Sequence, residues 1–186
     1  MKEQIETWQI NNRINLYLLN NIDETYLTDV SASKGRNVGE QFAHLHNARL
    51  MWLNASAPEL TGNLQKIESS SSITKELLSA SLINSSIAIE ELLEKGFTEG
   101  KIKNFKPHPS AFFGYLLAHE AHHRGQIILS LKQSKHLPDK KILFGIWEWG
   151  SRMRQRCAGR YEEQGRHQPG AQLPYWPSHR FFSGRK

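Results

Sequence analysis

The chain has a single cysteine, Cys157, among its 186 residues. An internal disulfide is therefore excluded, and a reducing, cytoplasmic compartment is expected. Long apolar runs are also missing. The longest, "AFFGYLLA" at 111–118, is far too short to cross a bilayer. Polar residues are spread through the first 21 positions, so no secretory leader and no membrane association are expected. Alternating apolar and polar residues of the kind that build strands are absent, as are internal repeats. Charge of one sign is scarce over most of the chain: residues 1–151 hold 16 Lys and Arg against 16 Asp and Glu. The excess of +6 lies wholly in 152–186, which has 8 basic and 2 acidic residues. General nucleic-acid binding by the main body is thereby disfavoured.

What is present is helical periodicity. Ile5, Trp8, Ile14, Tyr17 and Leu18 place a first helix over 3–20. Asn37 and Glu40 form a capping-box pattern ahead of a second helix, "VGEQFAHLHNARLMWLN", which Pro58 limits. A third helix, "ITKELLSASLINSSIAIEELLEK", is expected to end with Gly96 as its C-cap. Ser110 is a candidate cap for a fourth, over 111 to about 134. Pro138 and Asp139 introduce a short fifth segment, "KKILFGIWEWGSRM". The expectation is all-α: an antiparallel four-helix bundle with a short extra C-terminal helix, over residues 1–154. Residues 155–186 read as a basic Gly/Pro/Arg-rich tail, mobile or wrapped on the bundle. Its Tyr175, Trp176, Phe181 and Phe182 among arginines offer a weak pattern for single-stranded nucleic acid.

Histidines concentrate in "LLAHEAHHRGQI". His119 and His123, four apart, lie about 40° from each other on one helix face, at the margin of the apolar stripe made by Phe112, Leu116 and Ile127. Two inward imidazoles on one face need hydrogen-bond partners or a cation. A third ligand from the second helix is open between His44 and His46, which lie about 160° apart and cannot serve the same site. Three neutral imidazoles suit zinc, nickel, copper or iron and leave a coordination position open for chemistry.

His119-Glu120-Ala121-His122-His123 spells H-E-x-x-H, yet a protease is not expected. Gln126 and Leu129 stand where one zinc-protease class requires glycine and histidine; Glu148 is available but isolated as the downstream glutamate of the others, whose strand-built substrate edge is missing from the pattern. Glu120-x-x-His123 matches half of a di-iron pair, but the second and third helices supply no matching E-x-x-H.

Taken together, "VGEQFAHLHNARLMWL", "KPHPSAFFGYLLAHEAHHRGQIILSLKQ" and "LFGIWEWGSR" resemble the DinB-like superfamily, a likeness that covers nearly all of 1–151. The resemblance implies a four-helix bundle, often a homodimer. It also implies a metal-dependent hydrolase, or a transferase attaching a low-molecular-weight thiol to a small electrophilic substrate. Carried over by motif, the metal ligands are His44, His119 and His123, with zinc or nickel the ions expected. Glu120, next to a ligand, is a candidate base for an activated water or thiol, or else an ion-pair partner of Arg124. Asn47 and Gln126 are candidate partners of the ligand rings. Arg49 and Arg124 are candidate anchors for an anionic thiol, or solvated surface charges. Gly125 suggests close approach of a neighbouring helix, and Trp147 and Trp149 read as core anchors. A module that binds metal without turnover, using its tail on nucleic acid, is the competing expectation.

Overall fold

The computed structural model describes residues 1–69 and 71–161. Its elements are α1 (Lys2–Asn20), α2 (Val38–Ser56), α3 (Lys75–Glu99), α4 (Pro109–Gln133), α5 (Lys140–Gly145) and α6 (Trp149–Tyr161). No strand occurs among the described residues; Ile102 and Phe105 form one isolated bridge. None of the described helices is long and apolar enough to cross a membrane.

Two apolar clusters show how the four long helices run. One gathers Trp8 of α1, Leu53 of α2, Ile89 of α3 and Phe112 of α4. The other gathers Leu18, Phe42, Leu82 and Leu131 of the same helices in the same order. Passing from the first cluster to the second, residue numbers rise along α1 and α4 and fall along α2 and α3. The expected bundle is present, and α2 and α3 run parallel within it. That direction requires the long 57–74 crossover, which returns the chain to the end where α2 began. Trp8 Nε1 donates to the Ser86 carbonyl at 3.0 Å, tying α1 to α3 inside the first cluster.

The caps explain most helix boundaries. Asn37 accepts from the Glu40 amide at 2.8 Å, and Glu40 accepts from the Asn37 amide at 2.9 Å. The capping box is therefore complete at the start of the helix that carries His44. Two caps differ from expectation. The left-handed residue ending α3 is Gly100, at φ 71°, whereas Gly96 lies inside the helix, where Ile102 fills the space a Cβ would need. The N-cap of α4 is His108, whose ring accepts from the Ala111 amide, and Pro109 follows at the first helical position.

The fifth apolar segment also divides into α5 and α6. Gly145 lies so close to the Tyr17 ring that no Cβ fits there, and the chain turns over 146–148 before α6 begins. Arg152 of α6 then stacks its guanidinium 3.7 Å from the Tyr17 ring centroid. Helix continues to Tyr161, beyond the boundary expected at 154. The aromatic part of the tail, and with it the nucleic-acid expectation, lies outside the described residues. Trp147 is 74% exposed and Trp149 37%, so neither is a core anchor.

Asn37→Ala removes one half of the capping box, at an expected cost of about 1 kcal/mol. The urea unfolding midpoint should drop accordingly, with an unchanged slope against denaturant.

Candidate metal centre

Three rings meet between α2 and α4. The centroids of His44 and His123 are 4.5 Å apart, those of His119 and His123 4.6 Å, and those of His44 and His119 5.3 Å. One ring nitrogen from each can be chosen so that all three lie within 4.8 Å of one another. Nitrogens bound at about 2.1 Å to one tetrahedral ion lie about 3.4 Å apart, so the rings close in by up to about 1.4 Å when they hold a cation. Among the described residues no cysteine, carboxylate or fourth histidine joins the group. His46 is directed elsewhere: it is buried between the carbonyls of Gln65 and Ser81, at 2.9 and 3.0 Å. His122 is exposed.

The environment keeps the rings neutral. Burial, followed by the charges of Arg36 and His119, pushes the His44 pKa down to about 4. His123 is pushed down to about 3, by burial first and then by its neighbours His119, His44, His122 and Arg36. Burial lowers His119 as well, with Glu120 opposing. Neutral imidazoles are the form that donates a lone pair to a metal.

His123 Nδ1 donates to Gln41 Oε1 at 2.7 Å, which fixes the tautomer and leaves Nε2 as the lone-pair nitrogen. Gln41 was missed at the sequence level. Its one signal was position, a turn ahead of His44 on α2. The partners expected from sequence have other roles. Asn47 pairs its amide with both backbone groups of Ile67, at 2.8 and 2.9 Å, and so pins the crossover to α2. Gln126 is half-buried, and among the described residues its side chain bonds no ring.

Glu120 also departs from expectation. Its side chain turns to the bundle interior, where it is 1% exposed. Arg49 meets it through Nε at 2.7 Å and Nη2 at 3.1 Å, and Asn11 and Asn15 donate at 2.6 and 2.7 Å. Burial pushes this carboxyl up. The Arg49 charge and hydrogen bonds, the Asn15 bond and the Arg124 charge outweigh that and hold it below its ordinary value. A carboxylate so fully bonded and so weakly basic is a poor proton acceptor; its work is to hold helices together. The expected surface pairing with Arg124 is replaced by this buried one with Arg49. Arg124, itself buried, donates instead to Asn11 and Asn15. Neither arginine is a solvated surface charge.

A cavity of about 540 Å³ opens beside His44. Its walls come from the start of α2, the loop before it and the crossover, including Arg36, Asn47, Lys66, Ile67 and Ile73. A small molecule fits such a volume.

The family model described as the DinB family matches residues 1–138. Neither a curated protein nor a solved structure matches the chain.

The lowered histidines set a pH dependence for the metal-free protein. Between pH about 6.5 and about 4 the unfolded chain binds protons that folded His44 and His123 refuse, so acidification favours unfolding. Glu120 acts in the same direction: its stabilisation is present above the ordinary carboxyl value of 4.5 and is lost as pH falls below it. Urea midpoints should therefore fall steadily from pH 7 to pH 4, and His44→Gln with His123→Gln should flatten the upper part of that decline. Glu120→Gln leaves two buried guanidiniums without a counter-charge and should cost about 3–5 kcal/mol at neutral pH.

Proposed function

This chain belongs to the DinB family, and we propose that it is a metal-dependent enzyme, a hydrolase or a thiol S-transferase, working at His44, His119 and His123. The observation that carries the reading is the convergence of three half-buried or buried imidazoles with no fourth protein ligand among the described residues. A structural zinc site closes its coordination with four side chains, whereas three leave room for a visitor. When bound, a divalent ion such as zinc or nickel supplies Lewis acidity, making a water or thiol nucleophilic near neutral pH.

The chain's own residues supply the rest. Burial keeps the three rings unprotonated, so protons compete poorly with the cation. Gln41 orients His123. The Arg49–Glu120 pair joins α2 to α4 and so keeps His44 opposite the other two ligands. The cavity beside His44 admits a small-molecule substrate, with Arg36 and Lys66 in its wall alongside Glu40 and Glu68. The positive charge of Arg36, felt by all three rings, favours an anionic nucleophile at the same place.

Elemental analysis of the purified protein should find about one metal equivalent per chain. His119→Ala combined with His123→Ala should remove it while the far-ultraviolet circular dichroism stays helical. Full metal retention in that double variant would overturn the assignment. Gln41→Ala should weaken metal affinity by about 10–100-fold, read by competition with a chelating dye. Enzyme and passive metal carrier part ways in a screen of low-molecular-weight thiols with electrophiles, and of simple esters and amides. Turnover that disappears with the metal supports the enzyme, and none in any pairing supports the carrier.

A further inference from the structure

On the face of α4 turned away from the histidines lies a second cavity, of about 520 Å³. Counted around the helix at about 100° per residue, Ala121, Gly125 and Ile128 point about 180–240° from His119. They form one wall, α1 contributes Asn11 and Ile14, and Trp147 and Trp149 stand at the edge. The groove is almost wholly apolar. A side chain started at Gly125 would meet nothing within 4 Å, so the space belongs to no neighbouring helix, contrary to what that glycine suggested in the sequence. Exposed tryptophan over an apolar groove is costly in water and suited to a ligand.

The polar residues of this groove give its ligand a sign. Arg124, only 9% exposed, lines it beside Asn11. Arg124 Nη1 donates to the side-chain oxygens of Asn11 at 2.9 Å and Asn15 at 2.6 Å. Its Nε and Nη2 make no hydrogen bond to protein among the described residues. Behind it the buried charges do not balance: Arg49 and Arg124 are two cations, and Glu120, taken up by Arg49, is the one carboxylate among them. The buried polar layer thus carries one net positive charge, which reaches this groove through Arg124. Among the described residues no acidic side chain lines the groove to meet it.

We propose that this groove binds an amphipathic carboxylate, its anionic head paired with Arg124 and its apolar body lying along α4 against Ile128, Trp147 and Trp149. Charge decides among occupants. A second copy of the chain seated here about a two-fold axis would bring two Arg124 side chains together with no acid between them. Residues 162–186, with 4 basic and 2 acidic residues, have the wrong sign. A small anion with an apolar body satisfies both the uncompensated guanidinium and the exposed rings. The proposal does not depend on the histidine site, which faces the other way.

Titration of the full chain with decanoate, decanol and decyltrimethylammonium tests it, by calorimetry and by tryptophan emission. Decanoate should bind once per chain, about tenfold or more tightly than either of the others, the factor expected of a hydrogen-bonded charge pair. Arg124→Met should erase that preference and leave decanol binding unchanged. Because Arg124 also holds Asn11 and Asn15, that variant can lose its fold. Gly125→Leu gives a second reading: its Cβ meets no neighbour, its side chain enters the groove, and it should abolish decanoate binding while metal content stays at the wild-type level. Equal binding of decanoate and decanol, or decanoate binding that survives Gly125→Leu, overturns the proposal. So does an absence of binding accompanied by a dimer that Gly125→Leu dissociates, which would assign the groove to a second copy.

Discussion

Arg49 and Glu120 are both 1% exposed and meet through two contacts, at 2.7 and 3.1 Å. Neither tolerates the interior alone. An unpaired charge there costs several kcal/mol, so each fixes the position of the other. Arg49 also donates to the Leu82 carbonyl at 2.8 Å and to Asn12 Oδ1 at 3.0 Å, which brings α3 and α1 into the same arrangement. All four long helices are thus held in register by one guanidinium. A slide of α4 by one turn would part the pair and, with it, the three imidazoles. The histidine cluster is precise because the charges next to it demand precision.

This polar layer lies between the two apolar clusters. Leu and Phe side chains on either side give the bundle its cohesion, since each large side chain buried contributes about 1.5–3 kcal/mol, but greasy surfaces tolerate sliding. Asparagines 11, 12 and 15 do not. Each satisfies a specific partner in Arg49, Glu120 or Arg124. α4 therefore carries a histidine face toward α2, an ionic edge toward the centre and an apolar face toward the second groove.

Much of this was legible in the sequence, for physical reasons. The capping pair Asn37 and Glu40 is a local signal and appears in the structure unchanged. The i, i+4 histidines follow from helix geometry alone. The motif likeness selected His44 over His46, and the structure turns His46 toward two carbonyls instead. What failed was whatever depends on the third dimension. Glu120 stands about 100° from His119, at the boundary between faces, so periodicity alone could not aim it. Its partner Arg49 is 71 residues away, and sequence spacing has no means of pairing them. Gly96 and Gly100 are equally plausible helix ends on paper; Ile102, packed against the first, decides between them. The parallel course of α2 and α3 follows from the crossover being docked on α2, which no composition discloses.

That docking separates two tasks, holding the crossover in place and shaping the cavity beside His44. His46 and Asn47 bind the crossover by its backbone, at Gln65 and Ile67, and so do not read its side chains. The exposed side chains of Lys66, Glu68 and Ser69 can therefore change, reshaping the space in front of His44, while Ile67 stays in the core and the rings and the ionic layer stay where they are. The space beside His44 can thereby be recut by exchanges at a few surface positions, with the stability of the whole left nearly untouched.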